Sequence, residues 1–120
     1  MDRYTVISAD CHAGADLRDY RPFLEGRYQD AFDEWADRYV NPFGDLKKAG
    51  ADRNWDTARR TKDLEADGIV AEVLYPNTVP PFFPKSGLTA LVPTPSDFEY
   101  RLAGLRAHNR WLPAWCAEFP

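Results

Sequence analysis

The spacing of apolar residues changes several times along this chain, and each change predicts an element. Tyr4 to Ala9 is a run of β-branched and apolar residues without strict polar alternation, the pattern of a parallel strand covered on both faces. It predicts a strand over about 4–10, closed by Gly14. Apolar residues then recur at three- and four-residue spacing: Tyr20, Phe23, Leu24, Tyr28, Ala31, Phe32, Trp35 and Tyr39. That spacing predicts helix, divided at Gly26 and stopped by Asn41-Pro42-Phe43-Gly44. Asp45 to Asn54 is polar and reads as loop, so about 15–55 forms a long, largely helical insertion.

Asp56 is a suitable N-cap for a helix over about 57–66, and Gly68 suits its C′ position. Ile69 to Tyr75 is the second apolar strand, ended by Pro76. A loop over 76–95 holds six of the chain's 10 prolines (Pro76, Pro80, Pro81, Pro84, Pro93 and Pro95), a density that excludes both helix and central strand. Ser96 and Glu99 form a capping box that opens a helix over about 97–118. Phe98, Leu102, Leu105, Leu112, Cys116 and Phe119 define its expected buried face. Pro113 predicts a kink or break near Leu112.

Strand, helix, strand at these lengths is a βαβ crossover, so the fold class is α/β with a parallel sheet. Two strands do not complete a barrel of eight βα units or an open doubly wound sheet. The pattern is that of the N-terminal part of a larger domain, here an incomplete one over 1–120.

Composition adds exclusions. Of 120 residues, 44% are hydrophobic and 28% charged, values of a globular chain and not of a disordered tail. The net charge of −4 and the lack of a basic run leave no nucleic-acid footprint. No apolar stretch has the length of a signal-peptide core or a membrane span, so a cytoplasmic protein with no membrane partner is expected. Cys11 and Cys116 are too few for a disulfide framework and read as free thiols.

The chemistry concentrates at the end of the first strand. Asp10 and His12, at i and i+2, project to one face, and a carboxylate with an imidazole suits one divalent metal, Zn or Mn. The plain alternative is a turn-capping aspartate beside an ordinary loop histidine. A catalytic zinc wants a third protein ligand. His108 falls mid-helix and reads as a surface or packing residue; Cys11 points away from the Asp10–His12 face, and Cys116 fits its helix's apolar stripe. The site is expected to be unfinished within these residues, and no catalytic acid or base is assigned.

Substrate-contact candidates are Trp55, Asn77, Phe82 and Phe83, each of which equally reads as local packing or turn stabilisation; Thr78 beside Asn77 shares that ambiguity. Arg59, Arg60 and Asp63 read as a solvated helix face. Glu72, in mid-strand, requires a partner, either a structural arginine or a functional contact.

Three segments carry a family resemblance: ISADCHAG, DTARRTKDLEADGIVAEVLYPN and LRAHNRWLPAWCAEF. They resemble the amidohydrolase-related branch of the amidohydrolase superfamily, which includes relatives of aminocarboxymuconate-semialdehyde decarboxylase. The resemblance spans essentially the whole chain in the expected order. It implies the N-terminal portion of a (β/α)8 TIM-like barrel, with Asp10 and His12 similar to the family's opening metal-ligand motif. It implies further ligands, a histidine and an aspartate, on strands after residue 120, and an insertion lying over the active-site mouth. Pro113 departs from the helix-favouring residue usual in relatives.

The functional expectation is a metal-dependent hydrolase acting on a small-molecule substrate. The first alternative is a metal-dependent decarboxylase on the same scaffold. The second is a catalytically incompetent fragment or assembly module, and the aromatic face of the insertion offers a surface for a homo-oligomer.

Overall fold

The structure is a computed structural model that describes residues 4–41, 48–76, 80–84 and 91–119. The elements in order are strand β1 (Val6–Ala13), 3-10 turns over Leu17–Phe23 and Gly26–Tyr28, helix α1 (Gln29–Arg38) and a 3-10 turn over Ala51–Asn54. Helix α2 (Thr57–Asp67), strand β2 (Ile69–Pro76) and helix α3 (Phe98–Cys116) follow. The fold class is α/β, and β1 and β2 pair in parallel across the α2 crossover.

The local signals around α2 act as expected. Asp56 accepts a hydrogen bond from the Arg59 N–H at 2.8 Å. Gly68 closes the helix at φ 71°, a left-handed conformation that costs a side-chain-bearing residue energy but not glycine. Gly26 does divide the insertion, but the part before α1 winds as 3-10 turns. The segment expected to be loop before Asn54 contains a 3-10 turn as well. β1 starts later and runs further than the pattern predicts, carrying pairing through His12 and Ala13, which face Tyr75 and Pro76.

Three expectations are corrected. The strands are not covered on both faces: Ile7, Val70, Val73 and Tyr75 are exposed, while Ser8, Cys11, Ile69, Glu72 and Leu74 are partly buried and Ala13 fully so. The described residues supply one layer of helix, and a sheet covered by one layer leaves its other face open. The capping box does not form. The carboxylate of Asp97, the residue before α3, instead accepts from Thr94, from its N–H at 2.5 Å and its hydroxyl at 2.9 Å, while Ser96 bonds the Thr94 hydroxyl. Nor does Pro113 break α3, which is continuous to Cys116: the proline forfeits its own N–H bond, and the next turn still closes with the Ala117 N–H on the Pro113 carbonyl at 3.1 Å.

The buried face of α3 is also not the leucine stripe. Ala103, Gly104, Ala107, His108, Trp111 and Trp115 are buried, whereas Phe98, Leu105 and Cys116 are exposed and Leu102, Leu112 and Phe119 half-buried. Small residues decide this. The face of Ala103, Gly104 and Ala107 admits the insertion and the proline-rich turn to backbone distance, and a Cβ on Gly104 would lie 2.1 Å from the Pro81 carbonyl oxygen. Tyr20, Leu24, Tyr28, Phe32 and Ala36 of the insertion complete the core against that face. The hydrophobic core therefore lies between the insertion and α3, beside the sheet and not upon it.

The turn Pro80–Phe83 closes with the Phe83 N–H bonding the Pro80 carbonyl at 3.2 Å. Phe82 sits at φ 67°, where a type II turn prefers glycine, at a cost of about 1–2 kcal/mol. Its ring offsets that cost by packing among Phe32, Trp35 and Tyr100, with centroids 5.2 to 6.1 Å away.

Candidate metal site

β1 delivers Asp10 and His12 to the same side of the sheet. His12 Nε2 stands 3.3 Å from Asp10 Oδ1, with both side chains open to solvent. The other ring nitrogen, Nδ1, lies 3.3 Å from the carbonyl oxygen of Pro76 at the end of β2. The Tyr75 ring flanks the imidazole at a centroid distance of 6.1 Å. Both neighbours are acceptors: with a proton on Nδ1 toward the Pro76 carbonyl, Nε2 needs either a second proton or a metal ion between it and the carboxylate. The latter is the arrangement in which a protein histidine ligates a metal.

The spacing suits a shared cation. Two donors bound at about 2.0–2.1 Å in a tetrahedral shell stand about 3.3 Å apart. As a pair, the donors fit a divalent ion of the zinc or manganese kind. As a set they are two, and among the described residues no group of three His, Cys, Asp or Glu side chains converges. His108 is buried in the core with its Nδ1 on the Tyr20 hydroxyl, and burial holds its pKa below the usual histidine value. Cys11 bonds Ser8 at 2.9 Å on the inward side, and burial, with the Glu72 carboxylate beside it, raises its pKa.

Arg60 is the site residue the sequence reading missed. The sequence puts it on a solvated face with Arg59 and Asp63; those two are there, 4.0 Å apart, with Arg59 also paired to Asp52. Arg60 turns inward and bonds both carboxylate oxygens of Glu72 at 2.7 and 2.9 Å. Its Nη1 also donates to the carbonyl oxygens of His12 at 3.0 Å and Arg53 at 3.3 Å. One guanidinium thus joins α2, β2 and the strand end that carries His12. Burial alone would raise the Glu72 pKa, but the hydrogen bonds from Arg60 and Cys11 and the charge of Arg60 outweigh it and hold the carboxyl below its ordinary value. The signal that could have found Arg60 was Glu72 itself: a mid-strand carboxylate needs a cation, and the crossover helix packed against it is the nearest source.

Three of the substrate-contact candidates, Trp55, Phe82 and Phe83, are among the described residues, and each packs within the fold. Trp55 packs against the core, its carbonyl accepting from Trp115 Nε1 at 2.7 Å. Phe82 fills the aromatic cluster under its own turn, and Phe83 lies 4.6 Å beneath the Arg101 guanidinium. Asn77 and Thr78 lie outside the described residues. No helix among the described residues is long and apolar enough to cross a membrane.

Comparison of the chain with protein-family models, with curated proteins and with solved structures finds no match.

Proposed function

We propose that the chain carries the opening ligands of a metal-dependent hydrolase site of the amidohydrolase-superfamily type. In this reading β1, α2 and β2 are the first βαβ unit of a (β/α)8 barrel, and a small molecule is the substrate. The observation that carries the reading is the imidazole of His12, held through Nδ1 toward the Pro76 carbonyl with Nε2 3.3 Å from Asp10. A core-packing or loop histidine has no need of both constraints at the C-terminal end of a parallel strand, where barrel enzymes build their sites.

Asp10 and His12 would hold one Zn or Mn ion. When bound, such an ion supplies an acidified water or polarises a substrate oxygen. The chain's own residues orient the donors: the Pro76 carbonyl, 3.3 Å from Nδ1, would accept a proton held there, and Arg60 anchors the His12 backbone to β2. Asp10 provides the negative charge that favours a cation. Decarboxylation on the same scaffold would use the same ligand pair.

The test is a Mn2+ titration of the full chain followed by NMR of the two histidine rings. Broadening centred on His12, absent at buried His108 and lost in Asp10→Asn and His12→Ala, is the expected result. Broadening at other carboxylates with His12 unaffected would overturn the reading.

A second reading, an assembly module, is favoured by the open sheet face. Ile7, Val70, Val73 and Tyr75 expose apolar surface on adjacent strands, the kind of patch that marks an interface. Sedimentation of the chain and of Val73→Lys would show it as a concentration-dependent oligomer that the variant dissolves.

A further inference from the structure

Asp10 and His12 share their side of the sheet with its uncovered apolar residues. Ser8 and Glu72, opposite each other, turn inward to partial burial, so their neighbours Ile7, Ala71 and Val73 turn outward. Tyr75, two residues after Val73 and opposite His12, sets its ring 6.1 Å from the imidazole. Ile7, Val73 and Tyr75 are 58%, 46% and 51% exposed. The two donors at the end of this face are open as well, with the His12 side chain 50% and the Asp10 side chain 85% exposed. One continuous surface thus carries apolar side chains without a cover and a pair of metal donors without further ligands.

A two-fold axis answers both needs at once. The donor pair supplies two of the four ligands of a closed zinc site, and among the described residues no third His, Cys, Asp or Glu converges on it. A second copy supplies the same two, which makes two imidazoles and two carboxylates. Symmetric dimers present the same patch from both partners. An axis running along the strands therefore lays one open face on the other and brings the two strand ends to a single ion. Charge makes the cation the necessary link. Each chain carries a net charge of −4, and the two Asp10 carboxylates would meet at the contact, so the bare faces repel. Two carboxylates balance a divalent ion, and a neutral centre can be enclosed beside apolar side chains where an unpaired charge cannot.

We propose that a second copy of this chain covers the open sheet face, with one zinc ion bridging the Asp10–His12 pairs of the two copies. The bridge rests on the metal reading only in needing Asp10 and His12 to bind a cation, and not on the barrel or on hydrolysis. Held by four side chains, the ion keeps no open position for water, so the bridged form is an assembled state and not the hydrolytic one. Zinc converts the monomer to the dimer.

The experiment is sedimentation velocity of the full chain in EDTA and across a Zn2+ titration, with NMR of the His12 ring on the same samples. The expected result is a monomer in EDTA and a dimer that saturates at one ion per two chains, the His12 signals shifting as the dimer forms. His12→Ala and Asp10→Asn should each abolish the zinc-dependent dimer. Val73→Lys should weaken it by about tenfold or more while the His12 ring still responds to zinc. All three side chains are exposed, so these variants are read at unchanged thermal stability in EDTA. Equal dimerisation in EDTA would overturn the bridge and leave the assembly module standing. A His12 ring that shifts at one ion per chain, in a chain that sediments as a monomer, would overturn the bridge and keep the metal reading. A His12 ring indifferent to zinc would overturn both. A zinc-dependent dimer that survives in His12→Ala and Asp10→Asn would put the ion elsewhere and overturn the bridge as well.

Discussion

The Tyr20 hydroxyl lies 2.9 Å from His108 Nδ1 and accepts the Ala15 N–H at 3.2 Å, so one buried oxygen ties α3 to the turn that follows β1. Tyr20 and Ala15 are fully buried and His108 nearly so. Removing the oxygen leaves a buried amide and a buried imidazole nitrogen short of a partner. Tyr20→Phe should therefore cost about 1–3 kcal/mol, read by urea denaturation. A variant as stable as the parent would show that water or a rearranged neighbour replaces the bond.

His108 gives this contact a pH dependence. Its folded-state pKa is depressed by burial from the ordinary 6.5. The unfolded chain therefore takes up a proton that the folded chain resists, and the neutral ring's stabilising contribution is present above about pH 6.5 and lost as pH falls through the folded value. Stability measured between pH 7 and pH 5 should fall in the parent and fall less in His108→Gln. Equal slopes would assign the loss to other groups.

Arg60 and Glu72 form the most enclosed ion pair among the described residues, each side chain 11% exposed. Arg60→Met leaves a carboxylate stranded against β1 and should cost about 3 kcal/mol, the lower end of the range for such losses because the pair keeps a little solvent. Arg60→Met with Glu72→Met should recover much of it, and a double-mutant cycle measures the coupling. Glu72 adds a second acid step: its depressed pKa makes its contribution full above its ordinary 4.5, to be lost as pH falls through the folded value. That step should vanish in the double variant while the His108 step remains.

Gly104 is the point where α3 meets the Pro80–Phe83 turn. A methyl group there would sit 2.1 Å from a backbone oxygen, which cannot swing aside as a side chain would. Gly104→Ala should destabilise by about 1–3 kcal/mol, against the usual gain from alanine in a helix. It should also displace Phe82 and Phe83 together, visible as a change in their ring NMR shifts. A stabilised variant would mean the turn does not rest on α3.

Much of the local structure was legible because local chemistry determines it. Asp56 and Gly68 bound α2 by hydrogen bonding and backbone conformation alone, and a helix leading into the second of two apolar runs is the mark of a parallel crossover. Asp10 and His12 share a face because strand geometry puts them there. What failed depends on neighbours far along the chain. The leucines of α3 outrank Ala103, Gly104 and Ala107 in hydrophobicity, yet the small residues are buried because they let Pro81 and the insertion come close. Arg60 looks like its neighbour Arg59 in sequence, and only the position of Glu72, one element away, separates their roles. The Ser96 box does not form because Thr94 engages the Ser96 hydroxyl and offers the Asp97 carboxylate two donors within one turn.

The two strands do not keep one register along their length. Val6 faces Ile69, and Cys11, His12 and Ala13 face Leu74, Tyr75 and Pro76, but between them Ile7 and Ser8 face Ala71 and Glu72. β2 carries one surplus residue at Val70 and β1 one between Ser8 and Cys11, so the two slips cancel. Asp10 lies inside the second slip. A one-residue deletion at Val70 would leave the first half of the sheet regular and push the uncompensated offset to the end that carries Asp10 and His12, whereas deleting one residue from each strand at these places would keep His12 opposite Tyr75. In the history of such a chain, insertions and deletions here would be tolerated in pairs and selected against singly.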